Sequence, residues 1–106
     1  MKLKEKESEI QRAILEYLAY NKIMAWRNNV GTMAGEYKGR KWFVRFGLPG
    51  ISDIIGIYKG RFLAIEVKSA KGIVSLVQQA FIDSINKNGG LAFVAKSLDD
   101  VKKNLC

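Results

Sequence analysis

Apolar and polar positions follow two rhythms along the chain. From Glu7 to Asn21, residues Ile10, Ala13, Ile14, Tyr17 and Leu18 recur at intervals of three and four, so this stretch is expected to be an amphipathic helix. Ser8 is the candidate cap. Ile23 to Arg27 reads as a short strand. Asn28 to Lys41 carries Gly31, Gly35 and Gly39 and reads as a loop or an irregular hairpin; Trp42 to Phe46 reads as a strand. The string GLPG, Gly47 to Gly50, predicts a turn. Ile51 to Tyr58 and Arg61 to Lys68 predict two further strands. A helix is expected from Ser75 to Asn88, with Val77, Phe81 and Ile85 on its apolar stripe, and the string NGG ends it. Leu91 to Ala95 is a strand, and Ser97 caps a last helix to Asn104. No repeat or linker interrupts this order, so residues 1–106 are expected to form one domain of the α/β class.

The central pair of strands raises a chemical question, because ionisable groups sit among Ile, Leu, Val and aromatic residues. If Lys59-Gly60 is a two-residue hairpin turn, Tyr58 faces Arg61 and Asp53 falls opposite Glu66. Opposed residues in an antiparallel pair have Cβ atoms roughly 4.5–5.5 Å apart. Side chains alternate faces, so Lys68 shares the face of Glu66. The other face carries Ile54, Tyr58, Leu63, Ile65 and Val67, and both faces are apolar enough to predict strands covered on both sides. Two like charges in a partly buried place repel and are poorly solvated. A shared proton, the Lys68 ammonium or a bound cation would relieve them. Mg²⁺ takes one or two carboxylates and keeps several waters, which suits this set. A pair of strand-end charges with Lys68 as ion-pair partner is the other reading.

Composition narrows the chemistry. The chain has no His and a single Cys, Cys106, so Cys/His zinc sites, His-based triads and an internal disulfide are excluded. A metal, if present, is a hard cation on oxygen ligands. The net charge of +8 favours a polyanionic partner, nucleic acid or an anionic membrane surface. No apolar run is long enough to span a bilayer and the N-terminus lacks an apolar signal core, which predicts a soluble intracellular protein. The stretch YKGRKWFVRFG interleaves Lys38, Arg40, Lys41 and Arg45 with Tyr37, Trp42 and Phe46, a pattern suited to phosphate contacts and base stacking. Arg27, at a strand end, and Lys71, past Lys68, are further candidate phosphate contacts.

The strings PGISD and IEVK resemble the PD-(D/E)xK nuclease signature, with Asp53 as its Asp and Glu66-Val67-Lys68 as its ExK. Nearly the whole chain is similar to the virus-type replication-repair nuclease (VRR-NUC) domain. The matching segments, in order, are SEIQRAILEYL, AWRNNVG, GLPGISDIIG, FLAIEVKSAKG, QQAFI and GGLAFV. The resemblance implies a restriction-endonuclease-like core, αβββαβ, in which helices flank a central mixed sheet. It also implies a Mg²⁺- or Mn²⁺-dependent endonuclease acting on DNA. Asp53 and Glu66 would be metal ligands, with the Val67 backbone carbonyl as a third. Lys68 would position or activate the attacking water or stabilise developing charge. Glu9 matches the first-helix Glu that reaches toward the metal, with Glu7 as competitor. Gln78 matches the Gln of the helix after ExK. Pro49 precedes Asp53 without adjoining it, and the usual Pro before the helix Gln is absent from SLVQQ, so Gln79 competes with Gln78. The run Gln78-Gln79-Ala80-Phe81 fits QxxF and favours Gln78. A homodimer would present two sites and suit branched DNA such as a four-way junction. The setting implied is the cytoplasm of a prokaryotic or phage-infected cell. A non-catalytic nucleic-acid-binding module, or a subunit of a larger replication or repair complex, is the competing class.

Overall fold

The computed structural model describes residues 6–28, 31–46 and 50–105, and only the backbone of 31–35 and 42–46. The chain opens with α1 (Glu7–Tyr20), which buries Ile10, Ile14 and Leu18, the expected stripe. Its cap is Lys6 rather than Ser8: Lys6 is extended, and the Glu9 side chain reaches back to accept from the Lys6 backbone N–H at 3.5 Å. Ser8 therefore lies inside the first turn. Of the two forms expected for Asn28 to Lys41, loop or irregular hairpin, the described residues take the hairpin. It contains β2 (Gly31–Tyr37), which pairs antiparallel with β3 (Arg40–Phe46), from Gly31 opposite Phe46 to Tyr37 opposite Arg40. The turn residues Lys38 and Gly39 both have positive φ, 51° and 76°, which matches the right-handed twist of the flanking strands. Gly39 serves the turn, while Gly31 and Gly35 lie within β2, where pairing in the two-stranded ribbon outweighs their poor strand propensity. Asn29 and most of the GLPG turn, Gly47 to Pro49, lie outside the described residues.

The main sheet contains β1 (Met24–Arg27), β4 (Ile54–Tyr58), β5 (Arg61–Val67) and β6 (Leu91–Ala95), in the order β1-β4-β5-β6. The β4–β5 hairpin has the register the turn predicts, from Tyr58 opposite Arg61 to Ile54 opposite Ile65, with Lys59 at φ 50° and Gly60 at 78°. Between β5 and β6 the chain passes through α2 (Leu76–Lys87), and this crossover makes β6 parallel to β5. The last element is α3 (Leu98–Asn104), capped by Ser97, whose side chain accepts from the Asp100 N–H. Among the described residues no helix is long and apolar enough to cross a membrane.

The core forms two layers around this sheet. On one face α1 and α3 cover Ile54, Leu63, Ile65, Val67, Phe93 and Ala95. On the other, α2 places Ile82 against Ile55, Ala64 and Ala92, with Phe81 and Ile85 partly buried. Val77, expected on that stripe, faces solvent, and Ile82 fills the position. One helix is too narrow to roof four strands. The cross-strand row Met24–Ile57–Phe62 and the neighbouring Trp26 are left exposed, so cover on both faces holds for only part of the sheet.

Close approach of β1 to β4 depends on Gly56, where an added Cβ would collide with the Met24 carbonyl and the Ala25 backbone. Gly56→Ala is expected to destabilise the fold by roughly 3 kcal/mol, read as a lower urea midpoint at unchanged slope.

Candidate active site

The site forms at the strand ends remote from the Lys59-Gly60 turn. Asp53 immediately precedes β4. The Asn28 N–H donates to its carbonyl at 2.8 Å, so strand-like pairing with the β1 side continues one residue past the ladder. The Asp53 carboxylate is held from the other side: Oδ2 accepts the Val67 N–H at 2.8 Å. This bond ties the end of β5 to the start of β4 and aims Asp53 at Glu66.

Glu66 is 2% exposed, an expensive place for a carboxylate. Its Oε1 accepts from Gln78 Nε2 at 2.9 Å and lies 3.7 Å from Lys68 Nζ. Its Oε2 is buried with no hydrogen-bond partner. Burial first, and then the charge of Asp53, push the Glu66 carboxyl up to about 8. Lys68 opposes that rise, and Glu7 adds to it from α1. Near neutral pH Glu66 therefore holds its proton, which removes one of the two opposed charges.

Gln78 is oriented by the start of its own helix. The Ser75 Oγ accepts from the Gln78 N–H at 3.1 Å and Gln78 Oε1 accepts from the Ser75 N–H at 2.9 Å, a reciprocal capping box. With the carbonyl end of the carboxamide engaged there, its NH₂ end is left to face Glu66. The Ser75-x-x-Gln78 spacing carries this double role in the sequence, and reading it as a capping box would have separated Gln78 from Gln79. Gln79 instead bonds Asp83 on the same helix at 2.9 Å. Gln78→Ala is expected to lower any turnover at this site about tenfold or more, the worth of a hydrogen bond to a charged group, while Gln79→Ala leaves it unchanged. Steady-state rates of the two variants check this.

The remaining candidates lie around this cluster. The Glu9 side chain is exposed and turned to the Lys6 N–H, and Glu7 is the α1 acid whose charge reaches Glu66. Arg27 is exposed at the end of β1, one residue before Asn28. Lys38, Arg40 and Lys41 are exposed at the turn of the β2–β3 ribbon, and Lys71 is exposed between β5 and α2. Arg45 lies on β3 opposite Thr32, and its side chain is outside the description. Among the described residues no group of three or more His, Cys, Asp and Glu side chains is gathered closely enough to hold a metal by side chains alone.

A four-stranded mixed sheet between helices, with Asp at the start of one central strand and Glu-x-Lys ending its neighbour, defines an α/β nuclease core of the restriction-endonuclease type. Residues 5–99 match the VRR-NUC domain, and the chain belongs to that family of nucleases. Among curated proteins none matches the chain.

Proposed function

We propose that the protein is a divalent-metal-dependent DNA endonuclease. The observation that carries this reading is the buried, unpartnered Glu66 Oε2 beside Asp53, where burial and the neighbouring charge leave a carboxyl pair that needs a cation or a proton. Two carboxylates, with the Val67 carbonyl and water, match the oxygen-rich and incompletely protein-filled shell that Mg²⁺ or Mn²⁺ prefers. When bound, such an ion lowers the pKa of a water, orients a phosphate and offsets the charge that develops on its oxygens.

The chain's own groups perform the rest. Asp53 is anchored by the Val67 N–H and Glu66 by Gln78, so both ligands are held in place before substrate arrives. Glu66 must release its proton to serve as a ligand. Lys68, 15% exposed and already beside Glu66, supplies a fixed positive charge for the attacking water or the phosphate. Glu7 or Glu9 of α1 adds an acidic group at the rim. Arg27, Lys38, Arg40, Lys41, Arg45 and Lys71 hold the DNA backbone through charge. The exposed apolar row Met24–Ile57–Phe62 supports a second copy seated on that face of the sheet, and a dimer with two sites suits branched DNA.

The direct test is incubation with labelled four-way junction, flap, duplex and single-stranded DNA in Mg²⁺, Mn²⁺ or EDTA. Cleavage in either metal and none in EDTA is the expected result. Binding without cleavage in every metal would leave a binding module that keeps the nuclease fold.

A further inference from the structure

Three large apolar side chains stand in solvent at the edge of this polar site. Ile73 is 86% exposed, Leu76 90% and Val77 53%. Single exposed apolar residues are ordinary on protein surfaces, but three within five positions, next to a cluster of ionisable groups, form a patch. The core has no use for them, because α2 packs through Ile82, Phe81 and Ile85. Their location is tightly defined. Val77 precedes Gln78, which touches Glu66, and Val77 also packs against Gly50, where an added Cβ would lie 2.5 Å from its Cγ1. Lys68 and the exposed Lys71 belong to the segment that leads into the same lip, and Gly72 lies closely against the Lys68 stem.

We propose that this lip, Ile73, Leu76 and Val77, contacts unstacked nucleobases and directs the site to DNA whose bases are unpaired beside the scissile phosphate. The proposal rests on the nuclease reading above. A strand with a phosphate at Asp53, Glu66 and Lys68 runs past the first turn of α2. Intact duplex offers phosphates and hydrated groove edges there, from which Ile, Leu and Val gain nothing. An unstacked base offers an apolar face, and apolar side chains wedge against such faces. Charge separates this surface from one for a second copy. The lip is flanked by lysines, complementary to a polyanion and not to a chain of net charge +8. The apolar row suited to self-association, Met24–Ile57–Phe62, lies at the opposite end of the sheet, beside the hairpin turn.

The test compares the full chain with an Ile73→Ser/Leu76→Ser double variant. Affinity for labelled single-stranded and duplex DNA is measured by anisotropy in Ca²⁺, cleavage of both in Mg²⁺, and melting temperature and molar mass in parallel. Expected are about a tenfold or greater loss of single-strand affinity, the worth of the apolar surface that two such side chains bury, with unchanged duplex affinity, melting temperature and mass. The cleavage ratio of single strand to duplex falls accordingly. Equal effects on both DNA forms, no effect on either, or conversion of a dimer to a monomer overturns the proposal. A wild-type chain that cleaves, with a variant that cleaves identically, removes the lip and leaves the nuclease. A wild-type chain that binds single strands through the lip but cleaves nothing in Mg²⁺ or Mn²⁺ does the reverse, and one that binds neither DNA form overturns both.

Discussion

Asp53→Asn is expected to abolish DNA cleavage, by at least about 10³-fold in kcat, while raising the stability of the metal-free protein. The two effects have opposite signs for one reason. The Asp53 charge is unfavourable beside Glu66, whose carboxyl it helps to raise, and it is needed when a cation binds. Asn keeps the size of the side chain and an oxygen able to accept the Val67 N–H bond, so the join between β4 and β5 survives. Lys68→Ala is expected to cost about 10²–10³-fold in kcat, the range seen when a positioned charge or donor leaves a developing oxyanion. Rates on the preferred DNA and thermal melts in EDTA test both variants. Full activity in Asp53→Asn would sink the metal-ligand assignment, and a less stable Asp53→Asn would show that the carboxylate pair is not strained in the metal-free state.

The second large effect is on pH dependence. The Glu66 carboxyl titrates near 8 in the folded chain against an ordinary value of 4.5. Between these pH values the folded state holds a proton that the unfolded state has released. Stability of the metal-free protein therefore falls as pH rises from about 4.5 to about 8, then levels off. The size is on the order of 5 kcal/mol, or roughly 20 °C in melting temperature for a chain of this length. Glu66→Gln, neutral at every pH, should flatten the profile and match or exceed wild type at pH 8. A divalent cation should reverse the trend, because it binds the ionised form: its apparent affinity climbs roughly tenfold per pH unit up to about 8, and binding releases a proton. Melts in EDTA from pH 5 to 9, and calorimetry in buffers of different ionisation enthalpy, give both readings. A stability that rises through this window would mean that Glu66 is ionised and already paired.

Much of this architecture can be read in one dimension because local rules govern it. The spacing of Ile10, Ile14 and Leu18 sets the buried face of α1, and the Lys59-Gly60 turn dictates the register that carries Asp53 to Glu66. The QxxF run and the SxxQ spacing both point to Gln78 over Gln79. Local sequence was less informative where pairing between strands offsets weak propensity, as in the glycine-containing β2, or where a neighbour's side chain takes the cap, as Glu9 does at Lys6.

Turn geometry and periodicity act within a few residues, so the order of elements, the hairpin register and the set of residues able to do the chemistry follow from the primary structure alone. Which of those groups lose their water depends on how the layers pack. Burial of Glu66 depends on α2 lying across β5, the anchoring of Asp53 on a backbone N–H from the neighbouring strand, and the exposure of Leu76 on α2 packing through Phe81, Ile82 and Ile85 instead. Desolvation is a property of the packed assembly, so the strained carboxyl pair and the bare apolar lip appear only when the layers come together.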